Sequence, residues 1–251
     1  MYDGTSTIES LDQFARLPIL TNAILGSERL QNTLVGLDQV CITRTFGDDA
    51  CATGHLPKLL NYDDALDEYK VLAFMTEFAR LEGKHRVILL GDDHHVYTIS
   101  EFGKYLAYYE WPLAVFVVRK HTTDKLAEYL AEFKPTVIFV DSSDALPTKV
   151  FPRSVKYLFT FNRPNIYTKA RTRAQKFRTL DIFREPPIGL AAIKNDEDAH
   201  YTYDPRYFYF EATEDQRLLV TSFINSLQPV VRYQLMHHGI ITGFDKFAVI
   251  K

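Results

Sequence analysis

The sequence has little of what would place it in several common classes of protein. Its 251 residues include only two cysteines, Cys41 and Cys51, which are too few for a disulfide framework or a cysteine-rich zinc site. No apolar run approaches ~18 residues, so no transmembrane helix is expected. The first residues carry neither a basic start nor a long apolar run, which argues against a signal peptide. We therefore expect a cytoplasmic protein without a membrane partner.

The sequence also lacks a large excess of either positive or negative charge, because the net charge is only -3. This balance gives the whole chain no general attraction to nucleic acid or to a membrane surface. Apolar residues are plentiful by contrast, with 46% hydrophobic and 14% aromatic residues. That content is enough for one large core or two smaller ones.

The order of apolar and amphipathic segments predicts an α/β fold. Strands are predicted at "VCITRTF", "HRVILLGDD", "LAVFVVR", "PTVIFVDSS" and "VKYLFTF". Helices are predicted at "STIESLDQFARLP" (with Ser6 and Glu9 in capping-box spacing), at 63–81, at "ISEFGKYLAYYEW" and at "TTDKLAEYLAEFK". This order favours a mainly parallel, helix-covered sheet over residues 1–185. After Pro186 and Pro187 the strands become short and alternating, which predicts a smaller, more antiparallel, β-rich sub-lobe over 186–251.

Six segments in collinear order resemble the adenylate-forming superfamily, and most closely its phenylacetate-CoA ligase and coenzyme F390 synthetase-like branch. They are "LDQFARLPILT", "ATGHLPKLLNYD", "LAEFKPTVIFVDSSDAL", "TLDIFREPPIGLAAI", "AHYTYDPRYFYFE" and "LLVTSFINSLQPVVRYQLMHHG". The resemblance implies the large domain of an enzyme that activates a carboxylate with ATP and Mg²⁺ and passes the acyl group to a thiol or another acceptor. Because the sequence ends at Lys251, we expect the family's small C-terminal lid, which carries a catalytic lysine, to be absent.

The segment "ATGHLPKLLNYD" falls where the family has a phosphate-binding loop ending in Gly-x-Pro-Lys. Such a loop needs glycines for close backbone approach and hydroxyl or N–H donors for the phosphate oxygens. Aligned on Pro57 and Lys58, the chain keeps one hydroxyl at Thr53 and one glycine at Gly54, while the final glycine has become His55. We interpret Thr53, Gly54 and Lys58 as remnants of a nucleotide contact in a turn between a strand and a helix.

A second nucleotide contact of the family is altered in "TLDIFREPPIGLAAI". Phe183 stands for the aromatic residue beside the adenine, and Arg184 stands for a glycine. The family's magnesium-binding glutamate is Pro187, which cannot bind Mg²⁺, although Glu185 is nearby. Mg²⁺ in phosphate sites usually takes one or two carboxylates. This segment therefore favours a rigid turn over a magnesium site.

A third contact is altered in "VVRYQLMHHG", where Arg232 is retained but the ribose-binding aspartate has become His237. A neutral imidazole can bond one ribose hydroxyl but cannot bridge two as a carboxylate does. The resemblance thus implies a vestigial nucleotide cleft without catalytic residues, formed by Thr53, Gly54, Lys58, Phe183, Glu185, Arg232 and His237.

A basic stretch runs from Lys156 to Arg184, with eight basic residues and a single acid, Asp181. Its centre, "TKARTRAQKFR", can form a helix over 168–178. The basic face of that helix would consist of Lys169, Arg171, Arg173, Lys176 and Arg178. Basic residues interleaved with aromatics are typical of surfaces for nucleic acid or another polyanion. A solvated helix whose charges pair with acidic neighbours explains the same pattern.

The simplest functional interpretation is a pseudoenzyme that binds a partner protein, a polyanion or a residual ligand in the old cleft, without a cofactor. Two alternatives stay open. One is a minimal carboxylate-activating enzyme that uses ATP and Mg²⁺ with a separate lid, and the other is a nucleic-acid-binding module that uses the helix 168–178. We expect no metal site, because the neighbouring histidines of His94–His95 and of His237–His238 would diverge on a strand. Self-association is left open by the aromatic segment "YTYDPRYFYFE".

Overall fold

The structure is a computed structural model, and all structural statements below concern the residues that it describes. These are residues 10–21, 42–46, 56–60, 62–91, 103, 106, 109–118, 123–141, 151–161, 177–185, 187–195, 197–224 and 230–250. They group into two compact units. Unit 1 consists of Met1–Asp67, Glu185–Ile188 and Asp204–Lys251, and unit 2 consists of Glu68–Arg184 and Gly189–Tyr203.

The helices whose bounds the structure gives are α1 (Leu11–Ala15), α2 (Tyr62–Ala79) and α3 (Thr123–Phe133). The strands are β1 (Ile42–Phe46), β2 (Leu56–Leu60), β3 (Val87–Gly91), β4 (Leu113–Val117), β5 (Val137–Asp141), β6 (Tyr157–Phe161), β7 (Arg178–Glu185), β8 (Gly189–Asn195), β9 (Tyr201–Tyr203), β10 (Phe208–Ala212), β11 (Arg217–Ser222), β12 (Val230–Gly243) and β13 (Lys246–Ile250). The predicted strands and the long helix near 63–81 are therefore confirmed where the structure describes them.

Unit 2 is built on a parallel sheet in the order β4-β3-β5-β6-β7, in which each neighbouring pair is parallel. β3 and β5 are buried along their whole length. Interior parallel strands are covered on both faces, so they are apolar throughout rather than alternating. β8 lies beside β7 and pairs antiparallel with β9. The predicted mainly parallel α/β architecture is confirmed.

Helical residues pack on both faces of this sheet. On one face, α3 contributes to a core cluster that contains Leu126, Leu130, Ile88, Ile138 and Leu158. On the other face, Phe139 and Phe159 stack with their ring centroids 4.4 Å apart. The helical residue Gly103 also lies here, since a Cβ placed on it would be 3.1 Å from Leu89 Cδ1. Fully burying side chains of this size stabilises the fold by about 1.5–3 kcal/mol each.

Unit 1 is antiparallel. β10, β11, β12 and β13 pair in succession, and β1 pairs with β2 in a separate two-stranded ladder. Phe208 and Phe210 of β10 are buried, and Tyr209 between them is exposed, as the alternation in "YFYFE" predicts. Phe210 stacks on Phe247 of β13 with 4.3 Å between ring centroids. The predicted change to antiparallel structure late in the chain is confirmed.

The N-terminal helix begins later than the capping box predicts. Ser10 has an extended backbone, with φ -149° and ψ 157°, and its hydroxyl oxygen accepts a hydrogen bond from the Gln13 N–H at 3.2 Å. An extended residue interrupts helical hydrogen bonding, so α1 starts after Ser10. Ser6 and Glu9, which were predicted to cap it, lie outside the described residues.

The units do not correspond to a single cut along the chain. The chain passes from unit 2 to unit 1 between Arg184 and Glu185, next to the predicted boundary between 185 and 186. It also passes between units after Asp67, after Ile188 and after Tyr203. The division into lobes 1–185 and 186–251 stays a prediction.

Candidate functional site

The candidate site is the carboxyl edge of the parallel strands, where open α/β sheets bind their ligands. β5 ends at Asp141, β6 ends at Phe161 and β7 ends at Glu185. Because these strands are parallel and in register, their carboxyl ends lie along one edge of the sheet. The segment that the family resemblance assigned to adenine and magnesium binding therefore reaches this edge.

The Arg184 side chain binds a carboxylate and packs on an aromatic ring at this edge. Its Nη1 donates to Asp141 Oδ2 at 2.5 Å, and the two side chains are only 12% and 3% exposed. The guanidinium carbon also lies 5.2 Å from the centroid of the Phe161 ring. At the position where the family has a glycine, this chain places a large cation that covers an aromatic ring and neutralises a buried carboxylate.

Phe183 belongs to the core of unit 2. It is 1% exposed, and it contacts Tyr201 edge-on with 5.4 Å between ring centroids. A ring this deeply buried presents almost no surface to a ligand. The placement of Phe183 beside an adenine stays a prediction.

A buried polar cluster surrounds Asp181, the single acid of the basic stretch from Lys156 to Arg184. Thr160 Oγ1 donates to Asp181 Oδ1 at 2.7 Å, and the Tyr201 hydroxyl donates to Asp181 Oδ2. Lys194 Nζ lies 4.7 Å from the centroid of the Tyr201 ring. Burial raises the pKa of Tyr201, and the Asp181 charge raises it further, so the phenol keeps its proton. The signal for this cluster was available in "TLDIF", since an acid inside a buried strand requires hydrogen-bond partners.

Glu185 and His237, both assigned to the vestigial cleft, form an ion pair within unit 1. His237 Nε2 lies 3.1 Å from Glu185 Oε1, and the side chains are 34% and 8% exposed. The hydrogen bond to Glu185 raises the pKa of His237, with burial acting against it and the Glu185 charge adding to it. Two residues from separate segments of the sequence thus meet. Their role toward a nucleotide stays a prediction.

Arg232 holds the N-terminal segment of unit 1 in place. Its Nη1 donates to the carbonyl oxygens of Ala15 at 2.5 Å and Leu17 at 2.6 Å. Its Nε donates to Glu211 Oε2 at 3.2 Å. The Nη1 and Nε groups of Arg232 thus bind protein oxygens. The role of Arg232 in nucleotide binding likewise stays a prediction.

The remnant phosphate loop is only partly within the described residues. Thr53 and Gly54 lie outside them. Lys58 and Pro57 are in β2, where they pair with Arg44 and Thr45 of β1. The prediction that Pro57 and Lys58 belong to a turn is therefore wrong, because the apolar residues around them continue an extended, paired strand.

The predicted C-terminal end of the basic helix is wrong. Arg178 is the first residue of β7, so a helix over 168–178 cannot include it. Its Nε donates to Asn195 Oδ1 at 2.7 Å and its Nη1 donates to the Ala79 carbonyl at 2.8 Å. Its charge thus serves internal contacts of unit 2. The other members of the predicted polyanion surface lie outside the described residues: Lys169, Arg171, Arg173 and Lys176.

Within the described part of the chain, no helix combines the length and the apolar character needed to cross a bilayer. The same residues contain no group of three or more histidine, cysteine, aspartate or glutamate side chains arranged to hold a metal ion.

Comparison with solved structures relates this architecture to acyl-CoA ligases. A 2-hydroxyisobutyryl-CoA ligase in complex with 2-HIB-AMP and CoA matches with a TM-score of 0.70 and 12% identity, over 96% of this chain and 64% of that chain. The chain has the fold of the adenylate-forming acyl-CoA ligases. The o-succinylbenzoate-CoA synthetase MenE of Bacillus subtilis matches with a TM-score of 0.61 and 7% identity, over 86% of this chain and 50% of that one. MenE of E. coli gives 0.55 and 13%, over 84% and 48%.

These matches establish the fold and nothing finer. The chain spans 64% of the length of the 2-hydroxyisobutyryl-CoA ligase chain and about half of the MenE chains. No protein-family model matches the sequence, and the comparison with curated proteins found no match. The more specific resemblance to the phenylacetate-CoA ligase-like branch stays a prediction.

Proposed function

We propose that this chain is a pseudoenzyme of the adenylate-forming fold, which binds a partner protein, a polyanion or a residual ligand and does not adenylate a carboxylate. The observation that carries this proposal is the pairing of Arg184 with Asp141 and of Glu185 with His237. Of these side chains, Arg184 stands for a glycine of the family's nucleotide segment, Glu185 lies next to the magnesium-binding position, and His237 replaces the ribose-binding aspartate. In this chain they bind one another.

The Glu185 pair argues against a magnesium site. Glu185 is the carboxylate nearest in sequence to Pro187, which replaces the family's magnesium ligand. Recruiting Glu185 for Mg²⁺ would take the hydrogen-bond acceptor away from His237 and place a second cation beside the imidazole. Both effects disfavour bound Mg²⁺ and the triphosphate that travels with it.

The Arg184 pair argues against close approach of a ligand to the strand end. A glycine at this position would let a ligand reach the backbone, whereas Arg184 covers the edge and neutralises Asp141. Removing one partner of this nearly buried pair would lower the free energy of unfolding by about 3–5 kcal/mol. Adenylation depends on positioning the reactants and on stabilising the charge on the phosphates. Arg184 and Asp141 bind each other instead of a phosphate or a magnesium ion.

Binding of a protein partner, a polyanion or a residual ligand is the role that this proposal leaves. If the ligand is a polyanion, we expect the basic residues of the stretch 168–178 to bind it, and this can be tested separately. Binding of single-stranded nucleic acid should then weaken steeply with added salt and disappear when Arg171, Arg173 and Lys176 are reversed in charge.

Calorimetric titration with ATP and Mg²⁺ tests the proposal, with a functional acyl-CoA ligase as the positive control. We expect no magnesium-dependent binding in the micromolar range and no carboxylate-dependent pyrophosphate exchange. A micromolar, magnesium-dependent signal that is lost in Lys58→Ala would overturn the proposal. It would instead support the alternative of an active enzyme that works with a separate lid.

A further inference from the structure

We propose that two copies of this chain associate through the outer end of the β12–β13 hairpin, residues 240–246, called here the distal hairpin. This inference is independent of whether the chain binds ATP. Its basis is a sheet edge and a set of apolar side chains that unit 1 leaves exposed at the same place.

The distal hairpin exposes large apolar side chains. Phe244 is 82% exposed, Ile240 is 42% exposed and Ile241 is 39% exposed. Met236, four residues before Ile240 in β12, is 61% exposed. Single exposed apolar residues are ordinary on a protein surface. Here Ile240 and Ile241 point to opposite faces of β12, so apolar side chains flank the edge of this strand on both faces.

The backbone of the distal hairpin offers an open edge beside these side chains. β11 pairs with β12 only as far as Arg217 opposite His238, and the last bond on that side joins the Gly239 N–H to the Gln216 carbonyl at 2.7 Å. Backbone groups alternate sides along a strand, so the N–H and C=O of Ile241 point to the same side as those of Gly239, beyond the end of β11. Among the described residues, no strand pairs with β12 there.

A second copy fits this edge because antiparallel strand pairing about a two-fold axis is self-complementary. Each copy then offers the same open edge and the same apolar side chains to the other, as an isologous dimer interface requires. Pairing of residues 240–243 with their counterparts brings the tip of each hairpin against the β10–β11 turn of the other copy.

Charge agrees with this arrangement. The β10–β11 turn presents the exposed acid Glu214 beside the Asp215–Arg217 ion pair, and the tip of the hairpin presents the exposed cation Lys246 next to Asp245. In the two-fold arrangement Lys246 of each copy faces Glu214 of the other, and opposite charges at the rim favour that register. The paired segment is short, so we expect a reversible, concentration-dependent dimer.

Sedimentation velocity over a wide concentration range tests the proposal on the full chain. We expect a monomer–dimer equilibrium that Phe244→Asp weakens about tenfold or more. Phe223→Asp is the matched control, because Phe223 is also exposed at 57% but follows the opposite end of β11. A monomer at all concentrations, or a dimer that Phe223→Asp weakens and Phe244→Asp does not, would overturn the proposal.

Two further variants separate this register from a general loss of folding. Lys246→Glu should weaken the dimer, and adding Glu214→Lys to the same chain should restore it. Thr242→Cys lies near the proposed two-fold axis and should form a disulfide-linked dimer under mild oxidation. Failure of both the charge rescue and the cross-link in a chain that still dimerises would show that another surface is used.

Discussion

At the scale of single residues, Arg232 shows how a long cation can define local structure. Its φ of 50° lies in the left-handed region, which is unfavourable for a side chain of this size. The register of β11 with β12 shifts here, between Val220 opposite Tyr233 and Ser222 opposite Val230. An extra residue in one strand produces a bulge, and the bonds of Arg232 to Ala15, Leu17 and Glu211 offset its backbone strain.

Replacing Arg232 should therefore destabilise unit 1. We expect Arg232→Ala to lower the free energy of unfolding by about 2–4 kcal/mol, because charged hydrogen bonds are lost and Glu211 is left nearly buried and unpaired. Arg232→Lys should recover little of this, since an ammonium cannot reproduce the guanidinium fork. Urea denaturation of the two variants measures the change in the free energy of unfolding.

Arg217→Ala is the control for this prediction. Arg217 pairs with Asp215 at 3.0 Å, but both side chains are largely exposed. Exposed ion pairs contribute little to stability, because water and salt screen them. Equal losses in Arg217→Ala and Arg232→Ala would contradict the anchoring role of Arg232.

At the scale of elements, the hairpin of β12 and β13 depends on a glycine for close approach. A Cβ on Gly239 would lie 2.7 Å from Leu218 Cδ1 and within overlap distance of the Ala248 backbone oxygen. Gly239 therefore lets β11 and β13 close on β12 from its two sides.

Two glycine substitutions in the same hairpin should have opposite consequences. Gly239→Ala should lower the free energy of unfolding by about 2–3 kcal/mol, because relieving the overlap requires a backbone shift. Gly243→Ala should be neutral or stabilising by up to about 1 kcal/mol, since its nearest neighbour would be Lys246 Cβ at 3.7 Å. Thermal denaturation at low protein concentration compares the stabilities of the two variants. Equal stabilities would refute the packing argument.

At the scale of the whole molecule, the two units carry histidines with opposite pH dependence. In unit 1, Glu185 raises the pKa of His237. In unit 2, burial lowers the pKa of His85, with the Lys156 charge adding to this and the Glu82 backbone opposing it. His85 Nδ1 lies 3.1 Å from Thr136 Oγ1, and its Nε2 is buried without a hydrogen-bond partner among the described residues. Protonation of His85 therefore opposes folding, whereas protonation of His237 favours it.

Stability should accordingly decline on both sides of neutrality. The contribution of His237 is fully present below about pH 6.5 and is lost as the pH rises through its higher folded-state pKa. The contribution of His85 is present above about pH 6.5 and is lost as the pH falls through its lower folded-state pKa. His237→Gln should flatten the alkaline side of a plot of Tm against pH, and His85→Gln should flatten the acid side. Unchanged slopes in either variant would contradict the corresponding assignment.

Much of the architecture was predictable because it depends on local pattern. Uninterrupted apolar runs such as "VILLG" and "VIFV" lie in interior parallel strands, since only strands covered on both faces can be apolar throughout. The helix at Tyr62–Ala79 and the aromatic alternation around Tyr209 follow from periods of 3.6 and 2 residues. The start of α1 was mispredicted because several residues there are able to cap a helix, and the sequence does not say which of them is extended.

The sequence by itself determined where most of the strands lie, that the sheet of unit 2 is mainly parallel, and which residue types stand at the positions of a nucleotide cleft. Only the tertiary structure decided what those residues contact. Arg184 meets Asp141 from 43 positions away, and Arg232 meets Ala15 from 217 positions away. Periodicity describes neighbours within a turn or along a strand, whereas hydrogen bonds between distant segments depend on how the chain closes. That is why only the folded protein shows that Arg184 and Arg232 bind oxygens of distant segments.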